Sequence, residues 1–271
     1  MEASLKVTVI GDVHLIADAD PYKRIHDRRD FFKSGWPSFQ RLIEKVNDES
    51  PDLTILLGDL VDWFSPENIA FGLDLISGLR HPWHMTPGNH DVAAPAGGFD
   101  QEDYSTVATR DHLAYWEQQG VDLASRTIDV EGCRLVLLDS ALSNLVEGTE
   151  DWLRVELSDG QPSLLFTHVP IDLPETREYI LSVDARRSMV KYVLSGAPDL
   201  YAEYIQGRIP HVFSGHLHFA GDLSHDVTRF HLCNMGISMH DRHRKQGAIA
   251  SAIVIEENGD TFTFRKVTVD A

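Results

Sequence analysis

The sequence predicts a layered α/β fold in one domain, and three features support this prediction. Short apolar runs of strand type alternate with amphipathic segments of helical period, as in strands joined by crossover helices. The length of 271 residues is within the range of one large domain. Five of the apolar runs end in a small residue, usually Gly, followed at once by Asp, Asn or His. We therefore expect a buried sheet whose strand ends carry a functional site.

Composition narrows the classes of function. The net charge of −18 disfavours binding to a nucleic-acid backbone as the main role. Two cysteines, Cys133 and Cys233, are too few for a disulfide framework and favour a reducing compartment. There is no signal-type apolar segment after Met1 and no run of membrane-spanning length, so we expect a cytoplasmic protein without membrane contact.

The first third of the chain reads as strand, helix, strand, helix, strand. Residues 5–10 form the first strand, a helix begins at Pro37, and residues 54–57 form the next strand. Ser65 and Pro66 are the N-cap and first turn of a second helix. The intervening residues 15–35 are a long polar loop. Substrate contact and a solvated face are equally open for its basic side chains, which include Arg24, His26, Arg28 and Arg29.

The middle of the chain continues with a strand that ends in Gly88-Asn89-His90-Asp91. A short helix around Leu113 and Trp116 follows, and then a hairpin over 125–139. We assign Asp139, which ends that hairpin, a structural hydrogen-bonding role because no His accompanies it. A short helix over 149–157 precedes a strand over 163–167, which leads into His168.

The last third is predicted to be mainly helical over 174–207, with Gly196 as a C-cap after one apolar face, Met189, Val190, Val193 and Leu194. A strand over 211–214 then leads into Gly215-His216-Leu217-His218. Antiparallel strands over 228–232, 249–255 and 261–269 end the chain, the last two joined at Asn258-Gly259. The basic stretch 239–245, which includes Arg242 and Lys245, either lines the pocket or is a solvated loop, and we favour the solvated loop.

The five strand ends carry side chains that bind metals. If they gather at one edge of a sheet, they bring together Asp12, His14, Asp59, Asn89, His168, His216 and His218. Imidazoles and hard oxygens without thiolate suit two divalent ions of Mn, Fe or Zn. Two such ions can share Asp59 and a bridging hydroxide, which is the nucleophile, and His90 is then the general acid.

With these residues in order, the chain resembles the calcineurin-like metallophosphoesterases. Their pattern of Asp-x-His, Gly-Asp, Gly-Asn-His-Asp/Glu, His and Gly-His-x-His is present in full between residues 12 and 218. The resemblance implies two mixed β-sheets packed as a sandwich flanked by helices, a four-layer α-β-β-α fold, in a single domain over residues 1–271.

The resemblance also implies roles for individual residues. One metal would be held by Asp12, His14, Asp59 and His218. The other would be held by Asp59, Asn89, His168 and His216. His90, oriented by Asp91, would act at the phosphate and leaving group.

Two departures narrow the subclass. Purple acid phosphatases have a tyrosine three residues after the shared aspartate, where this chain has Asp62. Protein Ser/Thr phosphatases continue with Asp-Arg-Gly, where this chain has Val61-Asp62-Trp63. With these two subclasses disfavoured, the pattern of this chain is similar to that of the compact bacterial phosphodiesterases, including the class III cyclic nucleotide enzymes.

The leading hypothesis is a phosphodiesterase that acts on a small nucleotide-like or cyclic nucleotide diester. The alternative is a phosphomonoesterase or a nucleoside-diphosphate-linked pyrophosphatase, with basic loop residues adding positive charge. A non-catalytic protein-binding scaffold is disfavoured, since such a chain would be expected to lose His90 or several ligands, and this chain keeps them all.

Overall fold

Two mixed β-sheets form the centre of the computed structural model, which describes residues 5–22, 28, 36–93, 104–130, 132–237, 250–258 and 261–269. The described strands are β1 (Lys6–Ile10), β2 (Leu53–Leu56), β3 (Trp83–Met85), β4 (Arg126–Val130), β5 (Cys133–Leu138), β6 (Ser163–Thr167), β7 (His211–Ser214), β8 (Gly221–His225), β9 (Thr228–Leu232), β10 (Ala250–Asn258) and β11 (Thr261–Val269). The described helices are α1 (Trp36–Glu49), α2 (Pro66–Ile76), α3 (Asn89–Val92), α4 (Val107–Gln118), α5 (Thr149–Glu156), α6 (Pro174–Val183) and a π-helical turn, Tyr201–Ile205.

Each sheet combines parallel and antiparallel strands, with one antiparallel margin in the first sheet and two in the second. The first sheet has the order β11-β10-β1-β2-β3, in which β1, β2 and β3 run parallel. The second has the order β4-β5-β6-β7-β9-β8, in which β5, β6, β7 and β9 run parallel. The predicted α/β class with two mixed sheets is therefore confirmed.

Side-chain alternation along the strands divides the core into layers. Val7, Val9 and Ile55 of the first sheet belong to one buried cluster with Leu135 and Phe166 of the second sheet. On the opposite face of the first sheet, α1 contributes Phe39, Leu42, Ile43 and Val46, the face that its period predicts. Each such side chain stabilises the fold by about 1.5–3 kcal/mol when it is fully buried. The layers therefore follow helix, sheet, sheet, helix.

The N-terminal end of α2 is formed as its sequence predicts. Ser65 is the N-cap, and its side chain accepts a hydrogen bond from the Asn68 backbone N–H at 3.1 Å. Pro66 occupies the first turn, where its missing N–H is not needed. This cap holds the start of the helix close to the loop that follows β2.

The helix predicted through Met189 and Leu194 is wrong. After α6 ends at Val183, the chain runs in turns as far as the π-helical turn. Contacts with other segments replace the helical hydrogen bonds: the Leu194 N–H donates to the Pro170 carbonyl at 2.8 Å, and Ser143 Oγ donates to the Lys191 carbonyl at 2.9 Å. Apolar spacing alone does not reveal these distant partners.

Gly196 is also not a helix C-cap. A Cβ atom there would lie 2.4 Å from Asn144 Oδ1, so the glycine permits a close approach between two loops.

Two strand predictions need correction. β8 was not predicted, because its sequence is polar and lies on the edge of the second sheet. β9 pairs with β7 in parallel and with β8 in antiparallel orientation, and not with the C-terminal strands. The hairpin of β10 and β11 is confirmed by the pairing of Asn258 with Thr261.

Several predictions concern residues outside the described ranges, namely Arg24, His26, Arg29 and the basic stretch 239–245. No helix among the described residues is both long enough and apolar enough to cross a bilayer.

Candidate metal centre

The predicted ligands lie just beyond the carboxyl ends of parallel strands from both sheets. Asp12 follows β1, Asp59 follows β2 and Asn89 follows β3, while His168 follows β6 and His216 follows β7. Parallel strands place these ends at the same edge, where open α/β sheets commonly bind ligands. The two-sheet arrangement therefore brings the five motifs together, as expected from the sequence.

The first group of candidate ligands contains Asp12, His14, Asp59 and His218, whose ligand atoms lie within 4.8 Å of one another. His14 Nε2 is 2.9 Å from His218 Nε2 and 3.5 Å from Asp59 Oδ2. His218 Nε2 is 3.2 Å from Asp12 Oδ2. Four donor atoms thus face a common point.

The second group contains Asp59, His168 and His216. His168 Nε2 is 3.4 Å from Asp59 Oδ2, 3.1 Å from His216 Nδ1 and 3.3 Å from Asn89 Oδ1. Asn89 therefore lies beside this group, and Asp59 belongs to both groups. All seven predicted ligands are in one place, and their roles as ligands stay a prediction.

The orientation of the imidazoles fits a bound cation. His168 Nδ1–H donates to the Leu57 carbonyl at 2.6 Å, and His216 Nε2–H donates to the Lys191 carbonyl at 3.0 Å. Since a carbonyl can only accept, the nitrogens that face each other, His168 Nε2 and His216 Nδ1, both carry lone pairs when the rings are neutral. A cation between these nitrogens would satisfy both.

A buried oxygen points to the same conclusion. Asp12 is 1 % exposed, and its Oδ2 accepts no well-formed hydrogen bond from the described residues, although His218 Nε2 lies 3.2 Å away. A buried carboxylate oxygen that lacks a good hydrogen bond is costly. Oxygen and imidazole donors about 3 Å apart, without thiolate, fit a divalent ion of intermediate hardness.

The charge states of these groups suit metal binding. Burial raises the pKa of Asp12, but His218 and His168 outweigh it and lower the pKa to about 2. Burial lowers the pKa of His14 to about 4 and holds that of His216 well below its ordinary value. The carboxylate is therefore ionised and these two imidazoles are neutral at pH 7, as ligands must be.

His168 differs from the other imidazoles. Burial lowers its pKa, but the Asp59 and Asp12 carboxylates raise it to about 9. This ring would therefore carry a proton between the two carboxylates, and a metal ion would have to displace it, so binding would release a proton.

Backbone strain is concentrated at this site. Seven described non-glycine residues have positive φ, and four of them are candidate ligands: His14 (54°), Asp59 (50°), His216 (67°) and His218 (62°). Such conformations are unfavourable for residues with a Cβ and cluster at functional sites.

Hydrogen bonds between the loops hold these conformations. The Val13 and His14 N–H groups both donate to the Asp59 carbonyl, at 2.9 and 2.8 Å, and the His216 N–H donates to Asp12 Oδ1 at 3.0 Å. Gly58 permits close contact between two of the loops, since a Cβ there would lie 2.4 Å from the Gly88 nitrogen.

Asp62 is a site residue that sequence reasoning missed. Its buried carboxylate accepts a hydrogen bond from His14 Nδ1 at 2.8 Å, which fixes His14 with Nε2 toward the other ligands. Both Asp62 oxygens also accept hydrogen bonds from the Arg28 guanidinium, one of them from Nε at 2.6 Å. The only signal in the sequence is an aspartate three residues after Asp59, at the position where purple acid phosphatases have a tyrosine.

His90 lies beside the first group but is oriented differently from our expectation. Its Nδ1 donates to the Asp62 carbonyl at 2.7 Å, and its ring centroid is 4.6 Å from that of His14. Burial lowers the pKa of His90, but the carboxylates of Asp59 and Asp62 outweigh burial and hold the pKa above its ordinary value. The ring is therefore suited to carry a proton.

The predicted contact of Asp91 with His90 is replaced by another arrangement. Asp91 Oδ2 accepts from the N–H groups of Gly88 at 2.8 Å and Asp59 at 2.7 Å, and Oδ1 accepts from Val61 at 3.2 Å. The single turn of α3 directs Asp91 back into these loops. Asp91 thus supports the backbone that carries Asp59, while Asp62 orients His90.

The turns after α6 lie against the Gly215-to-His218 loop. The Arg187 guanidinium lies 4.1 Å from the Tyr192 ring centroid and donates to the Leu217 carbonyl at 3.0 Å. The Tyr192 ring is 5.1 Å from that of His216. The segment mispredicted as helix therefore supports the two histidines of this loop.

Comparison with known proteins agrees with this arrangement. The family model described as calcineurin-like phosphoesterase matches residues 5–220. A probable cyclic nucleotide phosphodiesterase from Synechococcus is 26 % identical over 222 residues, which cover 76 % of each chain. Another from Fibrobacter succinogenes is 27 % identical, with 79 % of this chain and 73 % of the relative covered.

A glycerophosphodiester phosphodiesterase from Enterobacter lignolyticus is 28 % identical over 139 residues, which are 45 % of this chain and 43 % of the relative. The match thus spans less than half the length of that relative.

Two solved structures share the fold. A dimetal phosphatase from Danio rerio superposes with a TM-score of 0.60, 13 % identity and 98 % of both chains covered. A purple acid phosphatase from yellow lupin seeds superposes with a TM-score of 0.66 and 12 % identity, over 100 % of this chain and 53 % of its own. At this level of identity the likeness concerns the fold alone.

Proposed function

We propose a reaction for this chain from one premise: it belongs to the calcineurin-like phosphoesterase family, whose model covers most of its length. The proposed activity is metal-dependent hydrolysis of a small phosphodiester of cyclic nucleotide or nucleotide-like type. The observation that carries the proposal is the pair of ligand groups that share Asp59, with His90 beside them. Relatives named as probable cyclic nucleotide phosphodiesterases support the choice of substrate.

The ligand set suits two ions of Mn, Fe or Zn, with Asp12, His14, Asp59 and His218 at one and Asp59, Asn89, His168 and His216 at the other. When bound, two such cations would lower the pKa of water toward neutrality and stabilise charge on the phosphoryl oxygens. Asp59 would fix the spacing of the two sites because it belongs to both groups.

His90 is proposed to protonate the leaving alkoxide. Its backbone N–H donates to Asp59 Oδ1 at 2.8 Å, and its Nδ1–H donates to the Asp62 carbonyl, so Nε2 is the ring nitrogen proposed to carry the transferable proton. The carboxylates of Asp59 and Asp62 favour the imidazolium form of this ring. General acids of this kind typically contribute about 10²- to 10⁴-fold to the rate.

Charge favours a diester over a monoester. Two divalent ions and the carboxylates of Asp12 and Asp59 leave the site locally positive on an acidic chain. Arg28, which could have added charge for a monoester dianion, is paired with Asp62. A diester monoanion therefore matches the charge that the described residues leave at the site.

The test is an activity screen of metal-stripped protein resupplied with Mn, Fe or Zn. We expect metal-dependent hydrolysis of cyclic AMP and of bis-p-nitrophenyl phosphate, with much slower hydrolysis of p-nitrophenyl phosphate. Faster hydrolysis of the monoester, or of ADP-linked compounds, would instead support the phosphomonoesterase or pyrophosphatase alternative. The organisation as one domain over residues 1–271 and the cytoplasmic location stay predictions.

A further inference from the structure

A cavity of about 610 Å³ lies between α4, the start of α5 and the carboxyl end of β5. Leu113, Leu123 and Trp152 form its apolar wall, and none of the described residues that line it is a candidate metal ligand. Cavities of this size commonly bind small organic molecules through apolar walls and a few polar groups. The cavity is therefore distinct from the ligand groups that share Asp59.

The polar group in this cavity is Asp139, which is 3 % exposed. Its Oδ1 accepts hydrogen bonds from the Tyr104 hydroxyl and from the Ala141 N–H at 3.1 Å. Its Oδ2 accepts none from the described part of the chain. The structural role that we assigned to Asp139 thus accounts for one oxygen only, and Oδ2 is open to a donor from outside the protein.

The charges around the cavity indicate the charge of the ligand that would donate to Asp139. Three further carboxylates line the cavity, Glu117, Asp122 and Glu147, against one described guanidinium in the lining, Arg110. Of the three, Asp122 lies 3.9 Å from the Arg126 guanidinium. Arg110 donates to the Ser105 carbonyl at 2.7 Å. A cation is therefore favoured over an anion, and Trp152 adds an aromatic ring to the lining.

We propose that this cavity binds an organic ammonium group, which donates an N–H to Asp139 Oδ2 while its apolar body packs against Trp152 and Leu123. The hydrogen bond would be charge-assisted at both ends. Neutral alcohols of the same shape could fill the cavity but would lack the charge.

The position of the cavity suggests two sources for this group. Ser140, the residue after Asp139, accepts a hydrogen bond from the His168 backbone N–H at 3.1 Å, so the cavity adjoins the metal centre. The ammonium could belong to the alcohol of a diester substrate, a source that depends on the proposed function. It could also belong to a free amine that binds beside the centre, which does not.

The first experiment measures binding of benzylamine to the metal-loaded protein by calorimetry, with benzyl alcohol as the neutral control. We expect the amine to bind at least about tenfold more tightly. Asp139→Asn should weaken the preference, because the amide is uncharged while Glu117 and Glu147 still line the cavity. Equal affinity for the two compounds in the unaltered protein would overturn the proposal.

A second pair of variants tests the same site in case Asp139→Asn does not fold. Ala114 lines the cavity at an exposed position of α4, which tolerates a longer side chain. Ala114→Lys should weaken benzylamine binding at least about tenfold, since it places an ammonium in the cavity. Ala114→Met, which is similar in length and uncharged, should weaken the amine and the alcohol equally. Amine binding that is unchanged by the lysine would contradict the proposed site.

The second experiment distinguishes the two sources. It compares kcat/KM for p-nitrophenyl phosphodiesters whose other alcohol is 6-aminohexanol or hexanol. A preference for the aminohexyl diester that Ala114→Lys removes and Ala114→Met keeps would assign the site to the substrate. Benzylamine binding without such a preference would assign it to a free amine. Hydrolysis of neither diester would contradict the proposed function, while the binding experiment would still decide on the cavity.

Discussion

Two pairs of histidines in this protein have ring nitrogens about equally close, yet only one pair belongs to a candidate metal centre. His168 Nε2 and His216 Nδ1 are 3.1 Å apart, as are His211 Nδ1 and His231 Nε2. At the centre the ring nitrogen that faces away from the other ring donates to a carbonyl in each case, so lone pairs face each other once both rings are neutral.

The second pair forms a chain of hydrogen bonds. His231 Nδ1 donates to Asp222 at 2.8 Å, so His231 Nε2 can accept from His211 Nδ1–H. No carboxylate is shared between these two rings among the described residues. The comparison indicates that two close imidazoles favour a metal site under two conditions. The ring nitrogens that face away from each other must already donate hydrogen bonds, and carboxylates must lie beside the nitrogens that face each other.

The largest expected effect is a loss of bound metal when the candidate centre is altered but not when the second histidine pair is altered. The Asp59→Asn variant should no longer bind either metal ion, because Asp59 belongs to both ligand groups. Activity should fall by more than the ~10²- to 10⁴-fold typical of losing a general acid. Metal content by elemental analysis and kcat on cyclic AMP provide the measurements. His231→Asn is the matched control and should keep two ions per chain, whereas two ions in Asp59→Asn would refute the shared role.

A second substitution tests the chemistry beside the centre. His90→Ala should keep metal but lower turnover of cyclic AMP by about 10²- to 10⁴-fold, because the leaving alkoxide lacks a proton donor. The effect should be much smaller on bis-p-nitrophenyl phosphate, since p-nitrophenolate leaves without help. An unchanged rate on the natural-type diester would count against the general-acid role.

A third substitution tests the hydrogen bond that His14 Nδ1, the nitrogen facing away from the other candidate ligands, makes with Asp62. Asp62→Asn removes the carboxylate that orients His14 and should cost about 10- to 100-fold in metal affinity or activity. The measurement is a metal titration of the stripped protein. Asp222→Asn, which alters the equivalent contact of His231, should leave metal affinity unchanged. Equal effects of the two substitutions on metal affinity would contradict the proposal that only the centre around His14 binds metal.

The smallest effect concerns stability of the second pair. Burial lowers the pKa of His211 to about 4 and also lowers that of His231. The unfolded rings, with a pKa near 6.5, bind protons first as the pH falls, so this stability is present above about pH 6.5 and is lost toward pH 4. With allowance for partial exposure, the loss from pH 7 to pH 5 is about 1 kcal/mol.

Urea unfolding of the protein and of His211→Phe at both pH values measures this loss. The phenylalanine suits the aromatic surroundings of Phe213 and Phe264 and cannot be protonated. The pH dependence should therefore be weaker in the variant. An identical pH dependence in the two proteins would show that His211 is not its source.

Local pattern was sufficient for much of the fold and for the seven candidate ligands. The period of α1, the cap at Ser65 and the buried runs of β2 and β6 depend on neighbours in the chain, and all were predicted. The clustering of the candidate ligands could be predicted because each follows a strand, and parallel strands end at one edge.

The failures share a physical cause. The turns around Met189 and Leu194 are held by Pro170 and Ser143. Asp62 takes the contact with His90 that we expected of Asp91, and Asp91 instead holds the Asp59 loop, because of contacts across separate loops. None of these partners is near in sequence to the group that it holds.

The amino-acid sequence by itself determined which strands are buried, which side chains lie at their ends and which chemical class of ligand they offer. Only the tertiary structure decided that Asp62 orients His14 and His90, that Asp91 supports the Asp59 loop, and that Asp139 has an oxygen left over in a cavity. Periodicity and spacing report on the local backbone and its burial. Hydrogen-bond partners between distant loops depend on how the sheets pack, which no local pattern encodes.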